Sequence, residues 1–229
     1  MAELFNIERV LGFCERVCYF FMINLLFVVS NLPVLFFLLF VGGSQIRECL
    51  PLFLFCMIPM APALSAVFYS MNRLIHGIEG SAWRDYKRGY CSDFRQTIML
   101  GTGQVFFIFM FAANMEFFAV QVRILPLAVV FAVLGAAAVL VTPNLYMLAS
   151  RYEMKNLQIV KTGVTLLIAR PIATLGNIVS LAIVLMAFEL VAGTTVLFMG
   201  SVYGFLVMFM NQAVMRNLEN SAAGSNSST

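Results

Sequence analysis

The stretch LAVVFAVLGAAAVLVTPNLYMLA, residues 127–149, runs for 23 positions without a charged side chain. Wound at 1.5 Å per residue, it is long enough to cross the roughly 30 Å of hydrocarbon in a bilayer. It shows no period-2 alternation. Backbone groups in lipid must be satisfied within the segment, so it reads as a helix rather than a barrel strand. Working outward, five more apolar runs of similar length lie at about 18–41, 50–71, 97–119, 171–191 and 194–214. Composition agrees: 62% of the 229 residues are hydrophobic and 11% charged, against about a quarter charged in soluble domains. The expected fold is an all-α polytopic membrane protein with six transmembrane helices. Residues 1–219 form one transmembrane domain, and the Ser/Asn/Ala/Gly-rich stretch 220–229 is expected to be a disordered polar tail.

Basic residues between the runs set the orientation. With the N-terminus in the cytoplasm, Arg9, Arg16, Arg73, Arg84, Lys87, Arg88, Arg95, Arg151, Lys155, Lys161, Arg170 and Arg216 fall inside, and only Arg47 and Arg123 outside. This twelve-to-two bias predicts cytoplasmic N- and C-termini. The net charge of +3 is accounted for by that bias and gives no reason to invoke nucleic acid. The first run lacks a short basic leader and a small-residue cleavage site, so it is not expected to be a removable signal. Of five cysteines, only Cys49 lies near the outer face. No disulfide, metal set or cofactor is therefore expected.

The connections carry most of the polar chemistry. Residues 2–18 alternate apolar and charged groups as a short interfacial helix leading into the first span would. Pro33 in span 1 and Pro143 in span 4 predict kinks, and Pro51, Pro59 and Pro62 predict a broken or bent span 2, or one that starts late. In the 2–3 connection Ser81 can cap a short cytoplasmic helix. That helix sets Trp83, Tyr86, Tyr90 and Phe94 on one face and Arg84, Lys87, Arg88 and Arg95 on another. The 4–5 connection repeats the theme, with Leu157, Val160, Val164 and Leu167 beside Lys155, Gln158 and Lys161. Lys87, Gly89, Arg95 and Gly101 are echoed by Lys161, Gly163, Arg170 and Gly176, so spans 2–3 and 4–5 read as a duplicated hairpin.

Several stretches together carry a family resemblance: NLL at 24–26, NLP at 31–33, APALSAVFYSMNRL at 61–74, DYKRGYCSDFRQ at 85–96, Arg170–Pro171 and Thr174–Leu175. The chain resembles the YesL-like family of bacterial integral membrane proteins, a domain of unknown function. The resemblance implies a multi-pass protein of the bacterial cytoplasmic membrane, encoded beside sugar ABC importers and without an established enzymatic activity. One departure stands out: a glycine often precedes the proline where this chain has Ala61–Pro62.

Two sets of residues are candidates for function. Trp83, Arg84, Tyr86, Lys87, Arg88, Tyr90, Phe94, Arg95, Lys161 and Arg170 form a possible partner-binding surface, since Trp, Tyr and Arg dominate interface energetics. The same aromatics could instead lie in the membrane interface or pack under the bundle, and the same cations could meet anionic lipid. Asn24, Asn31, Asn114, Glu116, Asn144, Asn177 and Glu189 are the polar groups within the apolar runs. Interhelical hydrogen bonding is their default role and a polar solute path the alternative. Both acids lie near span ends, where interfacial solvation competes with a buried role. No nucleophile–base pair, phosphate-cradling loop or ligand set accompanies them, so an enzyme is not expected. The function these features imply is a non-catalytic accessory protein in the lipid bilayer, partnered with a membrane protein such as a sugar ABC importer permease. A small-solute transporter with a polar mid-membrane site, or a scaffold for cell-envelope synthesis, is the alternative.

Overall fold

The computed structural model describes residues 2–78, 80–152, 154–190, 197–212 and 216. The tail at 220–229 lies outside them. Helices dominate throughout: α1 (Ala2–Ser30), α2 (Leu32–Phe40), α3 (Leu50–Cys56), α4 (Met60–Ile75), α5 (Ala82–Ser92), α6 (Phe94–Glu116), α7 (Leu125–Leu140), α8 (Thr142–Ala149), α9 (Asn156–Ala169), α10 (Pro171–Leu190) and α11 (Met199–Met210). A π-helical turn, Phe117–Gln121, extends α6.

Four helical stretches are long and apolar enough to cross a membrane: Arg9–Ser30, Leu50–Ile75, Phe94–Gln121 and Leu125–Ala149. A fifth arises if α9 and α10, which meet at 94°, count as one bent span, and α11 is a shorter apolar helix. The outer surface is itself apolar, with Leu39, Phe55, Phe106, Val133 and Met186 all exposed. Such a surface is incompatible with water on all sides and suits lipid. The class is therefore a membrane-spanning helical protein.

Proline and its neighbours set the breaks. Pro33 lacks the N–H that would bond back one turn, and its ring crowds the preceding carbonyl. The first run accordingly divides at Asn31, whose side-chain amide donates to the Phe27 carbonyl at 2.8 Å. Span 2 is broken over 57–59 between α3 and α4, and span 4 breaks at Val141, just before Pro143. One expectation fails. Residues 2–18 are not a separate interfacial helix but the first half of α1. No proline interrupts 2–30, and a single glycine, Gly12, costs a helix only about 1 kcal/mol.

At the centre sits α4. Every residue from Ala61 to Phe68 is buried, in a core shared with Ile23 of α1, Tyr86 of α5, Tyr146 and Met147 of α8, and Val207 and Met208 of α11. A second cluster joins Leu100, Val141, Leu145, Leu148, Ile159 and Leu166. Glycines permit the close contacts. A Cβ on Gly101 would lie 2.5 Å from the Ala61 methyl, so the approach that a glycine before Pro62 would allow is supplied from α6. Gly200 faces Phe27 and Asn24, and Gly204 faces Val67. The small residues of α11 thus pack within the bundle.

The order of elements follows the repeat read from the sequence. A broken helix pair (α3/α4), a short helix (α5) and a long helix (α6) are followed by another broken pair (α7/α8), short helix (α9) and long helix (α10). Gly89 lets α5 lie against Ala66 and Tyr69 of α4, as Gly163 lets α9 lie against Val141 and Leu145 at the α7–α8 junction. The inward face of α9 is not the stripe read from the sequence. Ile159, Gly163 and Leu166 face in, while Leu157, Val160 and Val164 face out and Leu167 is half-buried. α9 is apolar on two sides, and the side bearing glycine turns inward because it permits the closer packing.

Candidate functional site

The α5 helix divides its side chains sharply. Asp85, Tyr86 and Gly89 are buried. Trp83, Arg84, Lys87 and Arg88 are exposed and Tyr90 is half-buried; Phe94 and Arg95, also exposed, open α6 instead of continuing α5 as the sequence suggested. The aromatic series is therefore split: Tyr86 stacks on Tyr90 and Tyr90 leans on Phe94, but Tyr86 belongs to the core. Its hydroxyl donates to Ser30 Oγ at 2.9 Å. Burial pushes the Tyr86 phenol well above its ordinary range, although the Ser30 bond pulls the other way. It remains a neutral donor at physiological pH. Lys161 on α9 and Arg170 at the α9–α10 junction are also exposed.

An ionic cluster that sequence reasoning missed anchors this helix. Arg73 Nε lies 3.0 Å from Asp85 Oδ1, with side-chain exposures of 22% and 7%. The contact is one of charge, since Arg73 Nε is out of line for a hydrogen bond. The Tyr19 hydroxyl lies 3.0 Å from Asp85 Oδ2 and 3.2 Å from the Ser70 carbonyl. α1, α4 and α5 therefore meet at one carboxylate. The approach to α5 is tight as well, because a Cβ on Gly80 would lie 2.6 Å from Asp85 Oδ2. Asp85 is the sole acid on α5, set among four cations counting Arg95, and this was the available signal. Beside the cluster, an open groove of about 750 Å³ runs between α1 and the α4–α5 turn, lined among others by Glu15, Arg16, Tyr19 and Trp83.

The intramembrane amides fall into groups. Asn211 donates to Asn177 Oδ1 at 2.7 Å, and Asn177 donates to Asn144 Oδ1 at 3.1 Å, a buried ladder linking α8 and α10 to the end of α11. Asn24 Oδ1 accepts the Gly200 N–H at 2.8 Å, capping the first turn of α11 from α1. Asn31 and Asn114 bond to carbonyls of their own helices. Glu116 pairs with Arg47 at 2.9 Å with both side chains well exposed, so it is not buried in the bundle. Glu189 is exposed near the end of α10.

Interhelical amide bonds in membranes contribute about 0.6 kcal/mol on average, up to about 1.7. Asn177 makes two. Asn177→Ala is expected to lower stability by roughly 1–3 kcal/mol, and Asn211→Ala by less. Unfolding of each variant in mixed micelles measures this. An unchanged midpoint for Asn177→Ala would mean the ladder contributes nothing.

Between the two helix breaks lies a cavity of about 390 Å³. Its wall takes in Met57 and Met60 at the first break, Val139 and Pro143 at the second, and Met199 and Gly200 at the start of α11. Asn24, Gln104, Thr142, Tyr146, Asn177 and Tyr203 are its polar members, and among the described residues no charged side chain lines it. Gln104 donates to Thr142 Oγ1 and accepts from the Tyr146 hydroxyl at 2.8 Å. The amides are thus bonded to protein and not held open for a solute.

Residues 20–115 match the family model described as a protein of unknown function, DUF624. The YesL-like resemblance is borne out over this stretch, which covers Arg73 and Asp85 of the α5 anchor, but not Tyr19, and α6 up to Met115. Neither the curated proteins nor the solved structures yield a match.

Proposed function

We propose that the chain is a non-catalytic accessory protein of the bacterial cytoplasmic membrane, and that it presents the outer face of α5 to a membrane-protein partner. In this reading it crosses the bilayer six times with both termini in the cytoplasm. The charge bias supports that orientation. So does the placing of the Arg47–Glu116 pair in the segments assigned to the outside, with the Arg73–Asp85 pair at the cytoplasmic end.

The observation that carries the proposal is the way α5 is held. Asp85, Tyr86 and Gly89 fasten one side to α1 and α4, so the helix holds Trp83, Arg84, Lys87 and Arg88 outward, with Arg95 beside them at the start of α6. A helix already fixed in place loses little backbone freedom on binding, and Trp and Arg are the residue types that dominate interfaces. The groove beside Trp83 offers a recess for a partner side chain. The family resemblance supports a sugar ABC importer permease as that partner, and with it a role in the assembly or regulation of uptake. A solute transporter ranks second because the cavity's amides are already bonded to protein.

A photo-reactive amino acid at Lys87 or Arg88, irradiated in living cells, tests the idea. One discrete protein adduct is expected, with none from the same probe at lipid-facing Phe106. Identical adduct patterns from α5 and Phe106 would defeat the proposal, and identification of the adduct decides whether the partner is an importer permease.

A further inference from the structure

We infer that the cavity between the helix breaks binds the hydrocarbon chain of a membrane lipid, which reaches it sideways from the bilayer. This is independent of the α5 reading. At about 390 Å³, the cavity is within the size range of small-molecule sites, roughly 300–1,000 Å³. Those sites too are mostly apolar with a few placed polar groups.

The polar groups decide the ligand class. Asn24 Oδ1 is bonded to Gly200, Asn177 is held in the amide ladder, and Gln104 is held by Thr142 and Tyr146. A sugar or an ion would have to shed water here and find few free partners, and each polar group left unpaired weakens its binding. Two hydroxyl protons remain unspent. Thr142 accepts from Gln104 and donates to nothing among the described residues, and Tyr203 makes no hydrogen bond among them. They suit one or two oxygen acceptors on an otherwise apolar ligand, which is the chemistry of a fatty acyl group.

The route is lateral. Val139 of α7 and Ile178 and Leu181 of α10 line the cavity and are 49%, 38% and 40% exposed. The wall is therefore open on the side formed by α7 and α10. Leu54 and Leu64, also in the wall, are each only 6% exposed. A bound chain lies against both helix breaks at once and holds their spacing.

The test uses the full chain in nanodiscs. One arm carries a phospholipid with a diazirine midway along its acyl chain, the other a free fatty acid with the same group. After irradiation, labelled residues are located by mass spectrometry. Labelling of Leu54 and Leu64, in addition to outward-facing Leu39, is expected. Labelling by the phospholipid identifies bilayer lipid as the source, and labelling by the fatty acid alone identifies the free acid. Ile178→Trp, which narrows the mouth from an exposed position, is expected to cut labelling of Leu54 and Leu64 severalfold and leave Leu39 unchanged. Leu181→Trp serves if that variant does not yield a monodisperse, cooperatively melting protein. Labelling of Leu39 without Leu54 and Leu64 in both arms would overturn the inference. So would inner labelling that a folded mouth variant does not reduce.

Discussion

Asp85→Ala is expected to destabilise the protein by about 3–5 kcal/mol, the cost of breaking a buried ion pair by removing one partner. The residual charge is the reason. Arg73 would keep its guanidinium at a site where its side chain is only 22% exposed, and Tyr19 would keep only the Ser70 carbonyl as an acceptor for its hydroxyl. Because Arg73 retains some contact with water, the lower end of that range applies. Asp85→Asn keeps an oxygen for Tyr19 and should cost less. Replacing both members with apolar groups, Arg73→Met with Asp85→Leu, should cost less than Asp85→Ala alone, since no orphaned charge remains. Denaturant unfolding in mixed micelles provides the cycle. A loss below about 1 kcal/mol for Asp85→Ala would place the pair among solvated surface bridges and remove the anchor on which the α5 reading depends.

The contrast between what the sequence foretold and what it hid follows from the range of the forces involved. Apolar runs and prolines act within a turn or two, so the long helices and the breaks at Asn31, 57–59 and Val141 were legible from Pro33, Pro59, Pro62 and Pro143. The continuity of α1 was also a local matter, and the charged residues of 2–18 obscured it: they looked like a boundary, but Arg9, Glu15 and Arg16 are exposed along one continuous helix. The Asp85 cluster was not legible. A lone acid among Arg84, Lys87 and Arg88 reads as a solvated helix face, and only the meeting of Tyr19, Arg73 and Asp85 across 66 positions of sequence turns it inward. Tyr86 is buried for the same reason, whereas its exposed neighbours Arg84, Lys87 and Arg88 were read correctly as surface. The cavity lies furthest from sequence reasoning, since its shape depends on how two breaks and the start of α11 are spaced. Asn24, Asn144 and Asn177 were rightly singled out as interhelical, with partners that follow from that same spacing, whereas Asn31 and Asn114 bond to carbonyls one turn back.

Gly89→Ala should also destabilise the protein, and its sign discriminates between local and tertiary control. In an isolated helix alanine is better than glycine by about 1 kcal/mol. Here the new Cβ would lie 2.8 Å from Tyr69 Cβ and 3.0 Å from Ala66 Cα. Both atoms are at or beside the α4 backbone, and that helix is buried on every side, so neither can yield. Overpacking of this kind costs about 1–3 kcal/mol, which outweighs the helical gain. Gly163→Ala, at the corresponding place on α9, meets Leu145 Cδ2 at 2.9 Å, the far end of a flexible side chain, and should cost less. Gly12→Ala meets nothing within 4 Å and should stabilise α1 by up to about 1 kcal/mol. The expected order of stability is thus Gly12→Ala above wild type, then Gly163→Ala, then Gly89→Ala, read from thermal midpoints in one detergent. The loss in Gly89→Ala should also move α5 off α4, exposing Tyr86 and weakening the adduct from a probe at Lys87. If Gly89→Ala melted with wild type and kept that adduct, α5 would be a loosely held surface helix. A rigid face for a partner requires the opposite result.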